Sequence, residues 1–283
     1  MRPLVVTGPT AAGKSALALA VAERYGATIL AMDAMTVYRG MDIGTAKPSP
    51  EERARVPHRG LDLREPDGTF SAADFVAEAE TVIAEGRPVV VCGGTPFYLR
   101  ALWRGLVPAP AADPQVRARF EALENPHAAL AEVDPVLAAR LHPNDRLRVV
   151  RGLEVHALTG TPLSALHAGD DQPRRDLELA WVDAPDLDAR IDARVKAMMA
   201  AGYLDEVRAL LAAGYGPEVK SMGTLGYRHL TAHLLDGLAL EEAVRLTQQD
   251  TRRFARKQRT FLRGLGLVVG GDVWAAAERA FGR

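Results

Sequence analysis

Gly8-Pro9-Thr10-Ala11-Ala12-Gly13-Lys14-Ser15 follows directly on the apolar run Leu4-Val5-Val6 and leads into a helix-like stretch, Ala16 to Tyr25. A strand, a glycine-rich turn and a helix opened by Lys-Ser restrict the chain to few folds. They match the phosphate-cradling pattern G-x-x-x-x-G-K-[ST] in the context that gives the pattern meaning. Gly8 and Gly13 let backbone N–H groups converge on a polyphosphate, and the helix N-terminus adds partial positive charge. Lys14 supplies a point charge and Ser15 a hydroxyl ligand for Mg²⁺. The bland reading is a plain βα turn, which the flanking strand and helix disfavour. The motif does not identify the phosphate compound, so ATP binding rests on the motif alone.

Thr28 to Ala31 reads as a second strand, with Asp33 just past its end. Ligands of open α/β sheets sit outside the carboxyl ends of strands. Asp33 is therefore placed to face the same crevice as Lys14, or to cap a local N–H as turn aspartates do. The stretch from Asp33 to Pro48 is poor helix and poor strand. A long ordered loop beside a phosphate site is usually functional. Ser71 to Glu85 predicts an amphipathic helix with a Ser71/Asp74 capping box, stopped at Gly86. Pro88 to Cys92 predicts a buried strand ending in Gly93-Gly94-Thr95 rather than in the Mg²⁺-holding acid of a nucleotide-driven motor or switch. A small-molecule kinase stays open, since its acid can lie elsewhere.

Proline-rich Leu106 to Pro114 and the stretch Leu166 to Asp176 read as joints. Between them lie short helical segments without a strand signal. The longest runs from about Asp145 to Leu158, with Asn144 as its expected cap and Gly160 as its stop. Leu177 to Val182 returns to a strand. A helix with the stripe Leu187, Ile191, Val195 carries Arg190 and Arg194, and Leu204 to Ala213 predicts another. A loop from Ser221 to Arg228 leads into a further helix, and a final long helix runs from about Leu240 to Leu262. The fold class expected is α/β: a parallel sheet of the P-loop nucleoside-triphosphate-hydrolase kind flanked by helices, with an inserted all-helical subdomain. The core spans residues 1–111 and 174–283 and the insertion residues 112–173.

Composition adds exclusions. The chain has 283 residues and a net charge of −1, so global charge does not announce nucleic acid. Local charge does: Arg252, Arg256, Arg259 and Arg263 share one helical face, flanked by Arg253 and Lys257, with no acid interleaved. The one cysteine, Cys92, excludes an internal disulfide and a cysteine-based zinc site and reads as a small core residue. No run has the ~18 apolar residues of a membrane span. With the first strand starting almost at Met1, a cytoplasmic location is the expectation.

Together these stretches resemble the tRNA dimethylallyltransferase (tRNA isopentenyltransferase) family. The resemblance is carried by Gly8 to Ser15, the Asp33 loop through Met41-Asp42-Ile43-Gly44-Thr45-Ala46-Lys47-Pro48, Ser71 to Phe75, and Gly93-Gly94-Thr95 with Tyr98. It continues through His142-Pro143-Asn144-Asp145, Gly226-Tyr227-Arg228, and Thr251-Arg252-Arg253 on to Lys257-Gln258 and Arg263. The pieces come in the family's order over nearly the whole chain. Ala34 and Thr36 stand where Ser and Gln are usual, and Arg59 where a second His is usual.

The resemblance implies transfer of a dimethylallyl group from dimethylallyl diphosphate to N6 of the adenosine next to the anticodon, in tRNAs reading codons that begin with U, with release of pyrophosphate. By it, Asp33 is the base and Thr95 touches the reacting region. Gly8, Thr10, Ala11, Ala12, Gly13, Lys14, Ser15 and Arg194 hold the diphosphate, and Ser15 holds Mg²⁺. The tRNA anticodon stem-loop is expected on Ala34, Met35, Thr36, Arg117, Arg148, Arg151, Gly223, Gly226, Tyr227, Arg228, Arg256, Lys257, Gln258, Arg259 and Arg263. The chain is expected to act as a monomer away from membranes. The same chemistry fits the residues independently, since a P-loop stabilises a pyrophosphate leaving group and a weakly nucleophilic amine needs a base. A kinase would not need the arginine stripe. A non-catalytic RNA-binding module would not need the intact phosphate residues.

Overall fold

The computed structural model describes residues 1–167 and 172–282. Residues 168–171, within the second expected joint, lie outside the described residues. The chain divides into two compact units, Met1–Trp103 with Arg175–Arg283, and Arg104–Arg174. The first unit opens with β1 (Leu4–Thr7), α1 (Lys14–Tyr25), β2 (Thr28–Ala31), α2 (Pro50–Arg55) and β3 (His58–Arg59), then α3 (Ala72–Ala84), β4 (Val89–Gly93) and α4 (Pro96–Arg104). The second unit contributes α5 (Pro114–Glu121), α6 (Pro126–Val133), α7 (Pro135–Arg140), α8 (Arg146–Thr159) and α9 (Leu163–Leu166). The chain then resumes the first unit with β5 (Glu178–Trp181), α10 (Leu187–Ala200), α11 (Tyr203–Ala212), α12 (Tyr227–Asp236), α13 (Leu240–Gly264) and α14 (Val273–Phe281).

The five strands form one parallel sheet in the order β3-β2-β4-β1-β5. Both faces of such a sheet are covered, which is why β1 and β4 are near-continuous apolar runs rather than alternating ones. Leu4 and Val6 of β1 pack in one core cluster with Ala18 and Val21 of α1 and with Ala276 and Ala277 of α14. β1 lies between β4 and β5, so the glycine-rich turn leaves the sheet from its interior, flanked by two other strand ends.

Local rules set most helix starts. Ser71 accepts from Asp74 N–H while Asp74 reaches back to Ser71 N–H, the expected capping box of α3. In the second unit three helices open the same way: Asp113-Pro114, Asn125-Pro126 and Asp134-Pro135 each set a side-chain cap before a proline in the first turn. Their core gathers Leu130, Ala138, Val149 and Leu153. The expected cap of α8 is corrected: Asp145, not Asn144, holds the cap position, and Asn144 N–H donates to His142 Nδ1. Where the first unit is interrupted and resumed, Arg175 N–H donates to Trp103 O at 3.2 Å. No helix among the described residues is long and apolar enough to cross a membrane.

Candidate active site

A cavity of about 790 Å³ opens at the carboxyl ends of the strands of the first unit. The glycine-rich turn forms one wall. Gly8 sits at φ +143°, and a Cβ there would run into Val182 O, so the turn can leave the sheet only at a glycine. Gly13 occupies the cap position of α1 with no side-chain cap, and no acid lies in the first turn. The first N–H groups of α1 and its dipole are therefore unopposed toward an anion.

Lys14 is buried, and its Nζ donates to Pro9 O at 2.6 Å. Burial pulls its pKa down to about 8, Arg194 adds to the fall, and Cys92 and Asp33 oppose it. Ser15, one residue on, is exposed and lines the cavity. Of the expected diphosphate ligands, Thr10 has its N–H already bonded to Gln258 Oε1 at 2.9 Å, which leaves its hydroxyl. Arg194 reaches the cavity from α10, its pKa lowered by burial and held up by the charge of Asp33.

Asp33 satisfies both readings that its position allowed. Its Oδ1 accepts from Met35 N–H at 2.8 Å, and the residue lines the cavity with Lys14 and Arg194. Burial raises its pKa above the ordinary carboxylate range, against the pull of the Met35 N–H and of the two cations. Thr95 Oγ1 accepts from Ala34 N–H at 3.1 Å, and Met32 N–H donates to Cys92 O at 2.8 Å. The turns after β2 and β4 are thus sewn together around the carboxylate. Cys92 is not a plain core residue, since it also lines the cavity, where burial pushes its thiol up to about 11.

The loop Met41 to Lys47 is anchored by a residue that local sequence reasoning missed. The Glu206 carboxylate of α11 accepts from the N–H groups of Asp42, Ile43 and Gly44 at 2.8, 2.6 and 3.0 Å, and from Tyr227 Oη–H at 2.7 Å. Lys47 Nζ, almost wholly enclosed, pairs with Asp42 and Asp62. These contacts hold the loop as a fixed wall of the cavity.

The residues expected to contact RNA stand in different surroundings. Tyr227 is 1% exposed, meets Tyr203 edge to face and lines the cavity, and Gly226 is buried beside it. Thr36 and Gln258 are buried as well, and both line the cavity. Arg259 is bound by Asp183 through Nε and Nη2 at 2.8 and 2.6 Å, and Arg252 is paired with Asp192. The stripe on α13 therefore does have acidic partners. They come from the end of β5 and from α10, where periodicity within α13 cannot show them. Arg256, Lys257 and Arg263 stay exposed and have no ion pair among the described residues. Arg228 is exposed and pairs with Asp250, while Ala34, Met35 and Gly223 line the cavity.

In the second unit, Glu154 is fully buried and accepts from Arg117 at 3.0 Å, Arg151 at 2.6 Å and Asp113 N–H at 2.8 Å. Arg117 and Arg151 thus brace their own unit, whereas Arg148 is exposed and pairs with Asp145.

Comparison with known proteins agrees with this arrangement. The profile of the family described as IPP transferase matches residues 36–265. A tRNA dimethylallyltransferase of Geobacter metallireducens is 50% identical over 276 residues, covering 93% of this chain and 89% of the relative. A crystal structure of the Bacillus halodurans tRNA isopentenylpyrophosphate transferase aligns with TM-score 0.67 and 33% identity, covering 96% of this chain and 90% of that one. One of the Staphylococcus epidermidis tRNA delta(2)-isopentenylpyrophosphate transferase aligns with TM-score 0.68 and 30% identity, covering 98% and 97%. A matched profile over most of the chain, relatives at this identity and the same parallel-sheet fold make the chain an enzyme of the IPP transferase family.

Proposed function

We propose that the enzyme transfers a dimethylallyl group from dimethylallyl diphosphate to N6 of the adenosine next to the anticodon, in tRNAs reading codons that begin with U, and releases pyrophosphate. The observation that carries this reading is one cavity lined both by the glycine-rich turn with Lys14 and by a desolvated carboxylate, Asp33. Asp33 takes a proton from the adenine amine as its nitrogen bonds to the allylic carbon and the carbon–oxygen bond to the diphosphate breaks. Lys14, Arg194 and the α1 N-terminus receive the charge that develops on the leaving group. An adenine in a loop must be extruded to enter such a cavity.

Magnesium fits the donor set. The described residues hold no cluster of three or more His, Cys, Asp or Glu side chains for a metal. The exposed Ser15 hydroxyl with diphosphate oxygens and water suits an ion that favours oxygen and keeps its waters. Held there by Ser15, Mg²⁺ would supply further charge stabilisation to the leaving group.

Incubation with tRNA and either dimethylallyl diphosphate or ATP tests the reading. A prenylated adenosine with equivalent pyrophosphate supports it, and phosphate transfer from ATP overturns it.

The pH profile follows from the same geometry. The value of kcat/KM for the donor should fall tenfold per pH unit above about 8, as buried Lys14 loses its proton. On the acid side it should fall as Asp33 gains one, at a pH above that of an ordinary carboxylate because burial raises its pKa. The alkaline limb of kcat should lie higher than that of kcat/KM, since bound diphosphate favours the charged lysine. A flat alkaline profile in kcat/KM would take Lys14 out of donor binding.

For RNA, the exposed cations are the ones to test. Each phosphate contact on loop or single-stranded RNA contributes about −0.7 to the log–log salt slope. Changing Arg256 and Arg263 together to Gln should flatten that slope by about one unit or more and leave the donor KM unchanged. An unchanged slope in a folded double variant would make this face merely solvated.

A further inference from the structure

The β1–β4 ladder runs from Leu4↔Val90 to Thr7↔Gly93 and stops. Beyond it the chemistry depends on two turns without a common strand, the phosphate turn on one side and Gly94-Thr95 on the other. One side chain spans them. Gln258, 3% exposed on α13, accepts from Thr10 N–H through Oε1 at 2.9 Å and donates through Nε2 to Gly94 O. A carboxamide offers both an acceptor and a donor at this reach. A glutamate would set a second acceptor against Gly94 O, and a methionine would leave both backbone groups without that partner. The approach also needs a glycine, because a Cβ on Gly94 would lie 2.5 Å from Nε2. The next residue, Arg259, holds Asp183 and Ala184 O at the end of β5. Consecutive residues of α13 thus fasten the strand ends on both sides of the phosphate turn.

We propose that Gln258 is a positioning residue that keeps the phosphate turn in register with the turn carrying Thr95, and that it does not touch RNA although it lies in the basic stretch of α13. The inference deepens the proposed transferase reading and rests on it. Loss of a buried hydrogen bond that leaves its partner unsatisfied is worth roughly one to two orders of magnitude in an equilibrium. Gln258→Met should therefore raise the dissociation constant of inorganic pyrophosphate and the KM of dimethylallyl diphosphate about tenfold or more. It should also lower kcat, and leave tRNA affinity and its salt slope unchanged. Gly94→Ala retains Gln258 and crowds its Nε2, so it should show the same split, and it carries the test if the methionine variant does not fold.

Calorimetry with pyrophosphate, filter binding with tRNA and steady-state kinetics give the three readouts. Weakened tRNA binding with unchanged pyrophosphate affinity would overturn the proposal by making Gln258 an RNA contact. Variants equal to the wild type in all three would overturn it by removing any role. A wild-type protein that binds neither pyrophosphate nor the donor would overturn the transferase reading along with it. Wild-type binding that survives intact in both variants would overturn this inference alone.

Discussion

Asp33→Ala is expected to slow the chemical step about 10²–10⁴-fold, the usual worth of a positioned general base. The adenine amine shares its lone pair with the ring, so the new carbon–nitrogen bond leaves an acidic proton that must go to a nearby acceptor. Asp33 lines the cavity with Lys14 and Arg194, and burial makes its carboxylate more basic than an exposed one. The residue also holds Met35 N–H, so an alanine could act by loosening the loop. Asp33→Asn separates the two effects, since its carbonyl oxygen can still accept from Met35 while the side chain is no longer a base. Single-turnover rates with saturating donor should fall for both variants, with tRNA affinity little changed. An asparagine variant near the wild-type rate would remove Asp33 from proton transfer.

Lys14→Met is expected to cost about 10²–10³-fold in the same step, the scale measured for one preorganised donor to a developing anion. Nζ is bonded inward to Pro9 O, and burial of its ammonium pulls the pKa down to about 8. A diphosphate offers that charge a better partner than a peptide carbonyl, so the interaction strengthens as the leaving group gains charge. Methionine keeps the length of the stem and removes the charge. Its pH profile should lack the alkaline limb while the acid limb set by Asp33 remains. A Lys14→Met enzyme with an unchanged single-turnover rate would assign leaving-group stabilisation to Arg194 and the helix N-terminus alone.

The parts of this molecule legible in its sequence are those governed by neighbours along the chain. The glycine-rich turn, the Ser71–Asp74 capping box and the position of Asp33 after β2 follow from rules a few residues long. β3 was missed because two residues, His58 and Arg59, carry no periodicity. α14 was missed although its Val273, Ala276, Ala277 and Ala280 build the sheet core, because the short segment after α13 shows only a brief pattern. The partners of charged groups were the least legible. Glu206 collects three loop N–H groups, Asp183 takes Arg259, and Glu154 takes Arg117 and Arg151, each across elements far apart in sequence. A stripe of arginines seen along one helix says where charge stands, and only the folded neighbours say whether it is spent.

The bond between Arg175 N–H and Trp103 O bears on the order in which the chain folds. β5 must find β1, the first strand of the chain, after all the residues from Arg104 to Arg174 have been made. Bringing distant segments together costs entropy that grows with the logarithm of the loop, and non-local pairing is slow. The intervening helices contact near neighbours and have a core of their own. Folded early, they replace a long floppy loop by a compact body whose two exits need only reach the spacing of that one hydrogen bond. The expected sequence is therefore α6 and α8 first and the β1–β5 ladder late. Pulse-labelled hydrogen exchange during refolding should protect the amides of α8 before those of Leu179 and Ala180.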